Sequence, residues 1–174
     1  MTAARLSRAA CRARPPAAVR LLHLGLGNFF RAHQAWYTDR VPDAEAWGYA
    51  AFAGRDTGPA PALTAQEGLY TLVTRAPDGD RFEVVSSLSR AHEAGHHDAW
   101  LGYFRSPGLA LVTTTITEAG YLLDAGGNLD TARPEVQADL EVLRRAPEGL
   151  VRTAAGRLVA GIGARRRAPR PRPL

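Results

Sequence analysis

The stretch that most constrains this chain is residues 19–34, VRLLHLGLGNFFRAHQ, where an apolar run stops at Gly25-Leu26-Gly27 and a helix-forming segment begins. In a strand–turn–helix unit the first glycine permits a tight turn, the second lets the backbone approach a pyrophosphate, and the helix N-terminus offers free N–H donors. Gly25, Leu26, Gly27, Asn28, Phe29 and Phe30 are therefore the candidate cofactor-binding residues, and a dinucleotide is the ligand they suit. Paired glycines also end strands wherever a turn needs positive φ, so the spacing alone leaves that simpler reading open.

Residues 20–24 read as a buried strand, and residues 29–40 as the helix that follows, with Asn28 as its N-cap and Pro42 beyond its end. The run YAAFA at 49–53 closes at Gly54 and reads as a second parallel strand, completing a βαβ unit. An acidic residue at the end of that strand would bond the adenosine ribose and repel a 2′-phosphate, favouring NAD over NADP. Asp56 is the candidate, set back from the usual spacing by the polar insertion at 43–47. Arg55 beside it could instead pair with a 2′-phosphate, and Asp56 also suits a turn before Gly58-Pro59.

Residues 69–75 and 81–88 alternate and are β-branched, with Asp78-Gly79 between them, which predicts a β-hairpin appended to the parallel sheet. Residues 110–115 (ALVTTT) read as another buried strand, with Thr115, Thr117 and Glu118 at its carboxyl end. Ligands of open α/β sheets bind outside that end of the strands, so these three are candidates for the nicotinamide side of a cleft. A strand exit with solvated hydroxyls is the alternative. Helices follow at 134–143, with Asp130 and Thr131 as caps and Val136, Leu140 and Leu143 on one face, and at 151–162, with Leu158, Val159 and Ile162 as core contacts.

Length and a 45% apolar content suit one domain with a sizeable core. The expected fold is α/β, a Rossmann-like, mostly parallel sheet with helices on both faces and a β-hairpin insertion. The formal charge of +5 gathers at the ends, since the first acidic residue is Asp39 and none follows Ile162. Residues 1–18 read as a disordered basic extension, residues 19–162 as the domain, and residues 163–174, GARRRAPRPRPL, as a disordered tail. Cys11 is the single cysteine, so no internal disulfide or thiolate cluster can form, which fits a reducing, cytoplasmic setting. No apolar run approaches the ~20 residues that span a bilayer, and no membrane partner is expected. His92, His96, His97 and Asp98 include an i, i+4 histidine pair, but Gly95 interrupts any helix there and no metal site is assigned. The terminal arginines lack interleaved aromatic residues, which argues against nucleic acid.

Three segments occur in a telling order: Gly27-Asn28-Phe29-Phe30-Arg31-Ala32-His33-Gln34, then Gln66-Glu67-Gly68-Leu69-Tyr70-Thr71-Leu72, then Thr115-Ile116-Thr117-Glu118-Ala119-Gly120-Tyr121. Through them the chain resembles the N-terminal domain of the mannitol dehydrogenase family, the long-chain polyol and hexuronate dehydrogenases. It departs from that pattern at Phe30, where many members have histidine, at Ala119, where lysine is common, and in lacking the third glycine of the general fingerprint. The resemblance implies the NAD-binding portion of an oxidoreductase that interconverts a secondary alcohol of a polyol or sugar acid with its ketone by metal-independent hydride transfer. It also implies a lysine general acid/base on a separate C-terminal helical domain. All 22 basic residues here are arginine, so no catalytic residue is assigned, and His33 is given packing or cofactor support. The chain reads as an N-terminal half: a truncated product, a frameshifted reading, or one subunit of a split enzyme whose partner is a separate catalytic domain or chain. A non-catalytic nucleotide-binding or interaction module and a vestigial fragment are the alternatives.

Overall fold

A computed structural model describes residues 5–54 and 58–169. They fall into two compact units, residues 1–94 with 110–115, and residues 95–109 with 116–174. Among the described residues no helix is long and apolar enough to cross a membrane.

Among its described residues the first unit has six strands: β1 (Val19–Leu24), β2 (Gly48–Phe52), β3 (Tyr70–Thr74), β4 (Arg81–Val85), β5 (Leu88–His92) and β6 (Leu111–Thr114). Its helices are α1 (Arg8–Cys11), α2 (Asn28–Ala32), α3 (Gln34–Thr38) and α4 (Ala60–Ala65). Four strands pair in the order β5-β2-β1-β6, all parallel, the Rossmann-like α/β arrangement. The inner strand β2 is buried along its whole length, as its run of apolar residues requires. Leu21, Leu26, Phe30, Ala35, Tyr49 and Leu88 meet in one core, and each large apolar side chain buried there contributes about 1.5–3 kcal/mol.

Three expectations about the strands and helices at 29–92 are corrected. The hairpin of β3 and β4 forms a two-stranded sheet of its own, not an extension of the parallel one. The apolar run at 81–88 ends with β4 at Val85, and Leu88 already opens β5, an edge strand whose Ser89, Arg90 and His92 gave no apolar signature. Ser87 sits at the break and donates its hydroxyl to the Ala35 carbonyl at 2.6 Å. The helix expected at 29–40 is two short helices, α2 and α3, divided at His33, whose φ of −122° and ψ of −84° are not helical.

The N-terminal segment is folded where it is described. Ser7 caps α1, accepting the Ala10 N–H at 3.2 Å. Arg8 is buried, and its guanidinium donates to the carbonyls of Glu67 (3.1 Å), Arg14 (2.5 Å), Ser86 (3.1 Å) and Leu88 (3.2 Å). Arg14 pairs with Asp39 at 2.8 Å, and the same Asp39 oxygen accepts from the Ser86 hydroxyl and N–H.

The second unit contains α5 (His97–Arg105), α6 (Pro134–Arg145) and α7 (Ala154–Arg167). Asp139 is buried on α6 and accepts from Arg152 N–H, Thr153 N–H and the Thr153 hydroxyl, at 2.9, 2.8 and 2.6 Å, ahead of the first turn of α7. Thr153 in turn caps α7 through Gly156 N–H at 2.9 Å. Helix α7 buries small residues, Gly156, Ala160, Gly161 and Ala164, and the Phe104 ring of α5 lies where a Gly161 side chain would stand. Val159 and Ile162, expected in the core, are exposed, and Leu158 is half-buried. Close helix approach has selected the small face over the branched one. Helix α7 also runs through Arg165, Arg166 and Arg167, part of the tail expected to be disordered, and Arg165 caps the end of α5 through the Phe104 and Ser106 carbonyls at 3.2 and 2.9 Å. The cap of α6 is Arg133 and not Asp130 or Thr131.

Candidate functional site

The turn after β1 is held by two backbone carbonyls, that of Phe52 and its own Gly25. Gly25 has φ +117°, and a Cβ there would lie 2.5 Å from the Thr115 carbonyl oxygen, so both conformation and space call for glycine. The N–H groups of Gly25 and Leu26 both donate to Phe52 O, at 2.9 and 3.0 Å, and Gly27 N–H turns back onto Gly25 O at 2.6 Å. The chain then leaves the sheet and enters α2.

The residues expected at this site divide by role. Gly27, Asn28 and Phe29 are exposed, with Phe29 at 61%. Gly27 is the N-cap of α2, so Asn28 is its first helical residue and not its cap; the Asn28 amide oxygen accepts from Arg31 instead. The first-turn N–H groups of Asn28, Phe29 and Phe30 have no acceptor within the helix. The Leu26 and Phe30 side chains belong to the core, which leaves Phe30 only its backbone for a ligand. Phe30 stacks on His23, with centroids 3.9 Å apart and planes at 12°, and meets Tyr49 edge-on at 5.0 Å. Phe30 is thus an apolar ring that the core accepts. Phe29 stacks on His33 at 4.3 Å, and His33 Nδ1 bonds the Phe29 carbonyl at 2.9 Å, so His33 braces α2.

Thr115 joins the turn, its hydroxyl donating to Gly25 O at 2.9 Å. Thr117 and Glu118 belong to the second unit, where both are exposed; Thr117 precedes the 3₁₀ turn Glu118–Tyr121 without a side-chain cap bond. Asp56 and Arg55 lie outside the described residues. Among the described residues no group of His, Cys, Asp or Glu could hold a metal ion. His92 is in strand β5, stacked on Phe52 at 4.5 Å, while His97 opens α5 and bonds the Glu148 carbonyl at 3.2 Å through Nε2. The helical pair 92/96 therefore does not form.

Two residues around the turn escape a sequence reading. Arg31 donates to Leu26 O at 3.3 Å and to Asn28, which brings a guanidinium against the turn. Burial lowers its pKa, the Tyr70 hydroxyl opposing this, and Tyr70 itself donates to the Arg31 carbonyl at 2.7 Å. The second is His23, a wholly buried polar side chain in the middle of β1. The available signal was the histidine itself, since a polar group inside an apolar strand must find partners.

Residues 19–173 match the family model described as the mannitol dehydrogenase Rossmann domain. The chain is 40% identical over 132 residues to D-arabinitol 4-dehydrogenase of Ralstonia nicotianae, a match covering 71% of this chain and 28% of that protein. To mannitol 2-dehydrogenase of Cereibacter sphaeroides it is 32% identical over 152 residues, covering 84% and 31%. The chain thus spans about three-tenths of the length of these relatives. Among solved structures, Pseudomonas fluorescens mannitol 2-dehydrogenase, in a ternary complex with NAD and D-mannitol, superposes with a TM-score of 0.77 at 27% identity, over 94% of this chain and 36% of that one. A substrate-free D-sorbitol dehydrogenase gives 0.79, also at 27% identity, over 92% and 36%. The fold, the glycine turn and these matches agree: the chain belongs to the mannitol dehydrogenase family, in the part of it that forms the Rossmann domain.

Proposed function

We propose that residues 25–30 hold the pyrophosphate of NAD(H), and that the chain is the nucleotide-binding part of an oxidoreductase acting on a secondary alcohol of a polyol or sugar acid. Gly27 carries this reading. Its φ of −92° and ψ of −176° suit any residue, and an added Cβ would meet nothing nearer than Gly25 O at 3.8 Å. Beyond the mild preference for glycine at a helix N-cap, the fold sets no need for it there, whereas close approach of a phosphate does. The donors also fit the group: the first-turn N–H groups of Asn28 and Phe29 lie at exposed positions, and the Arg31 guanidinium adjoins the same turn.

Bound there, NAD supplies the hydride acceptor for alcohol oxidation, and the residues of this chain bind and orient it. Asp56 is assigned to the ribose, giving NAD over NADP, and Thr117 and Glu118 to the nicotinamide side. The hydroxyl of Thr115 is engaged by the turn, so its part is to hold Gly25 in place. The names of the arabinitol and mannitol dehydrogenases support the substrate class, and the lone Cys11 supports a reducing, cytoplasmic setting. A positioned general acid/base is worth ~10²–10⁴-fold. With no lysine in its 174 residues, this chain by itself is assigned cofactor binding, and proton transfer falls to a domain or partner outside them.

Calorimetric titration of NADH into the 174-residue chain and its Gly27→Val variant tests this. Gly27→Val should stay folded, losing about 1 kcal/mol at the N-cap of α2, and bind at least about tenfold more weakly. Equal heats would overturn the pyrophosphate assignment. Saturable NADH formation from a panel of polyols and hexuronates by the chain alone would overturn the placement of proton transfer elsewhere.

A further inference from the structure

His23 is enclosed on every side by uncharged partners. Its ring lies between Phe30 of α2, stacked at 3.9 Å, and Tyr49 of β2, edge-on at 6.4 Å. Nδ1 is 2.7 Å from the Thr113 hydroxyl, while Nε2 is 3.0 Å from the Thr115 hydroxyl and 3.1 Å from the carbonyl oxygen of Gly25. The Thr113 hydroxyl also meets the side-chain amide of Gln34 on α3, to whose oxygen it can donate at 3.1 Å. A continuous polar thread therefore runs through the core from α3, across β6 and β1, to the first glycine of the turn.

The tautomer follows from the one partner that can only accept. Gly25 O has no hydrogen to give, so Nε2 facing it must carry the proton. Nδ1 is then an acceptor and takes the one Thr113 hydroxyl hydrogen at 2.7 Å, so the Gln34 amide turns its N–H to Thr113 Oγ1 in exchange, a half-turn open to a side-chain amide and closed to the Gly25 carbonyl, and Thr115 is left free to donate to Gly25 O at 2.9 Å. In the other tautomer, Thr115 would have to turn its hydrogen to Nε2, and two lone pairs would oppose each other across 3.1 Å. Burial lowers the ring's pKa to about 4, against the bond to Gly25 O that raises it, which keeps His23 a neutral, one-proton group near neutral pH.

We infer that His23 is the positioning residue of the nucleotide turn: as the Nε2–H tautomer it clamps the Gly25 carbonyl together with Thr115 and ties the turn to α3 through Thr113. The Gly25–Leu26 peptide is then held at both ends, its carbonyl by His23 and Thr115 and its N–H by Phe52 O at 3.0 Å. That plane cannot flip. The N–H groups that follow it leave the turn already aimed, so a ligand does not have to order them on binding. The functional half of this inference rests on the assignment of pyrophosphate to residues 25–30; the clamp itself does not.

Long-range ¹H–¹⁵N spectra of the 174-residue chain read the tautomer directly, and His23 should appear protonated at Nε2. Two variants test the consequence. His23→Phe keeps a flat ring against Phe30 but offers Gly25 O no hydrogen, whereas His23→Gln restores an N–H donor near the Nε2 position. NADH should bind about tenfold more weakly to His23→Phe, with recovery in His23→Gln, and the amides of residues 25–30 should exchange faster in His23→Phe alone. A ring protonated at Nδ1, or parental NADH affinity in a folded His23→Phe, overturns the inference. If the parent itself binds no NADH, the pyrophosphate assignment fails instead, and the tautomer and the amide exchange rates still decide whether His23 clamps the turn.

Discussion

Replacing Arg8 by alanine removes a guanidinium that donates to four backbone carbonyls, those of Glu67, Arg14, Ser86 and Leu88, while only 7% of the residue is exposed. Hydrogen bonds from a charged donor are worth about 1.5–3 kcal/mol each when removed singly. The full sum is not expected, because the variant also recovers the cost of keeping that charge out of water, several kcal/mol. Desolvation lowers the pKa of Arg8, with Glu67 opposing it, so this cost is real in the folded state. The carbonyls of Ser86 and Leu88 lie at the break between β4 and β5 and would lose a buried donor. A net loss of about 2–4 kcal/mol follows, or roughly 5–15 °C in Tm for a chain of this size. Urea unfolding followed by tryptophan fluorescence gives the free energy, since Trp36 and Trp47 pack against the core of the same unit. A chain started at residue 19 should lose at least as much, because Arg14 and its pair with Asp39 go too. If Arg8→Ala and the shortened chain both unfold with the parent, residues 5–18 are not part of the folded unit and the disordered extension is the correct description.

Gly25→Ala should cost about 2–4 kcal/mol by thermal melting, from the positive φ and the 2.5 Å approach to Thr115 O, whereas Gly27→Ala, which only exchanges the N-cap of α2, should stay within about 1 kcal/mol of the parent. Stability should fall on acidification through His23: its pKa is about 4 folded and 6.5 when free, so the unfolded chain takes up the proton first. The stability present above pH 6.5 is lost as pH falls to about 4, to the extent of about 3 kcal/mol, and His23→Gln should flatten that slope in urea titrations across the window. In the second unit, Asp139→Ala strips three donors of their buried acceptor and should cost about 2–4 kcal/mol, with Asp139→Asn recovering part of it; equal melts for the two variants would show that the carboxylate is not what joins α6 to the start of α7.

Features whose cause is local were legible in the order of residues alone. An apolar run ended by Gly25 makes β1 and its turn, YAAFA makes β2, and two β-branched runs about Asp78-Gly79 make the hairpin, because strand propensity, burial and turn geometry act within a few residues. The exposed backbone of Gly27 at the candidate site was legible for the same reason. Which partners a residue meets at long range depends instead on how the chain folds back on itself. Ser89, Arg90 and His92 form a strand because β2 offers them its parallel edge. Arg8 folds the N-terminal segment through partners as far as 80 residues away. Helix α7 turns Ala160 and Gly161 inward and Val159 outward because the Phe104 ring occupies the space that a larger side chain would need. His23, a polar interruption in a leucine-rich strand, acquires its role from Thr113 and Thr115, which lie 90 and 92 residues further along and are brought beside it by the pairing of β1 with β6. Periodicity records which residues prefer burial; how a buried polar atom is satisfied depends on atoms that only the folded chain brings within hydrogen-bond reach.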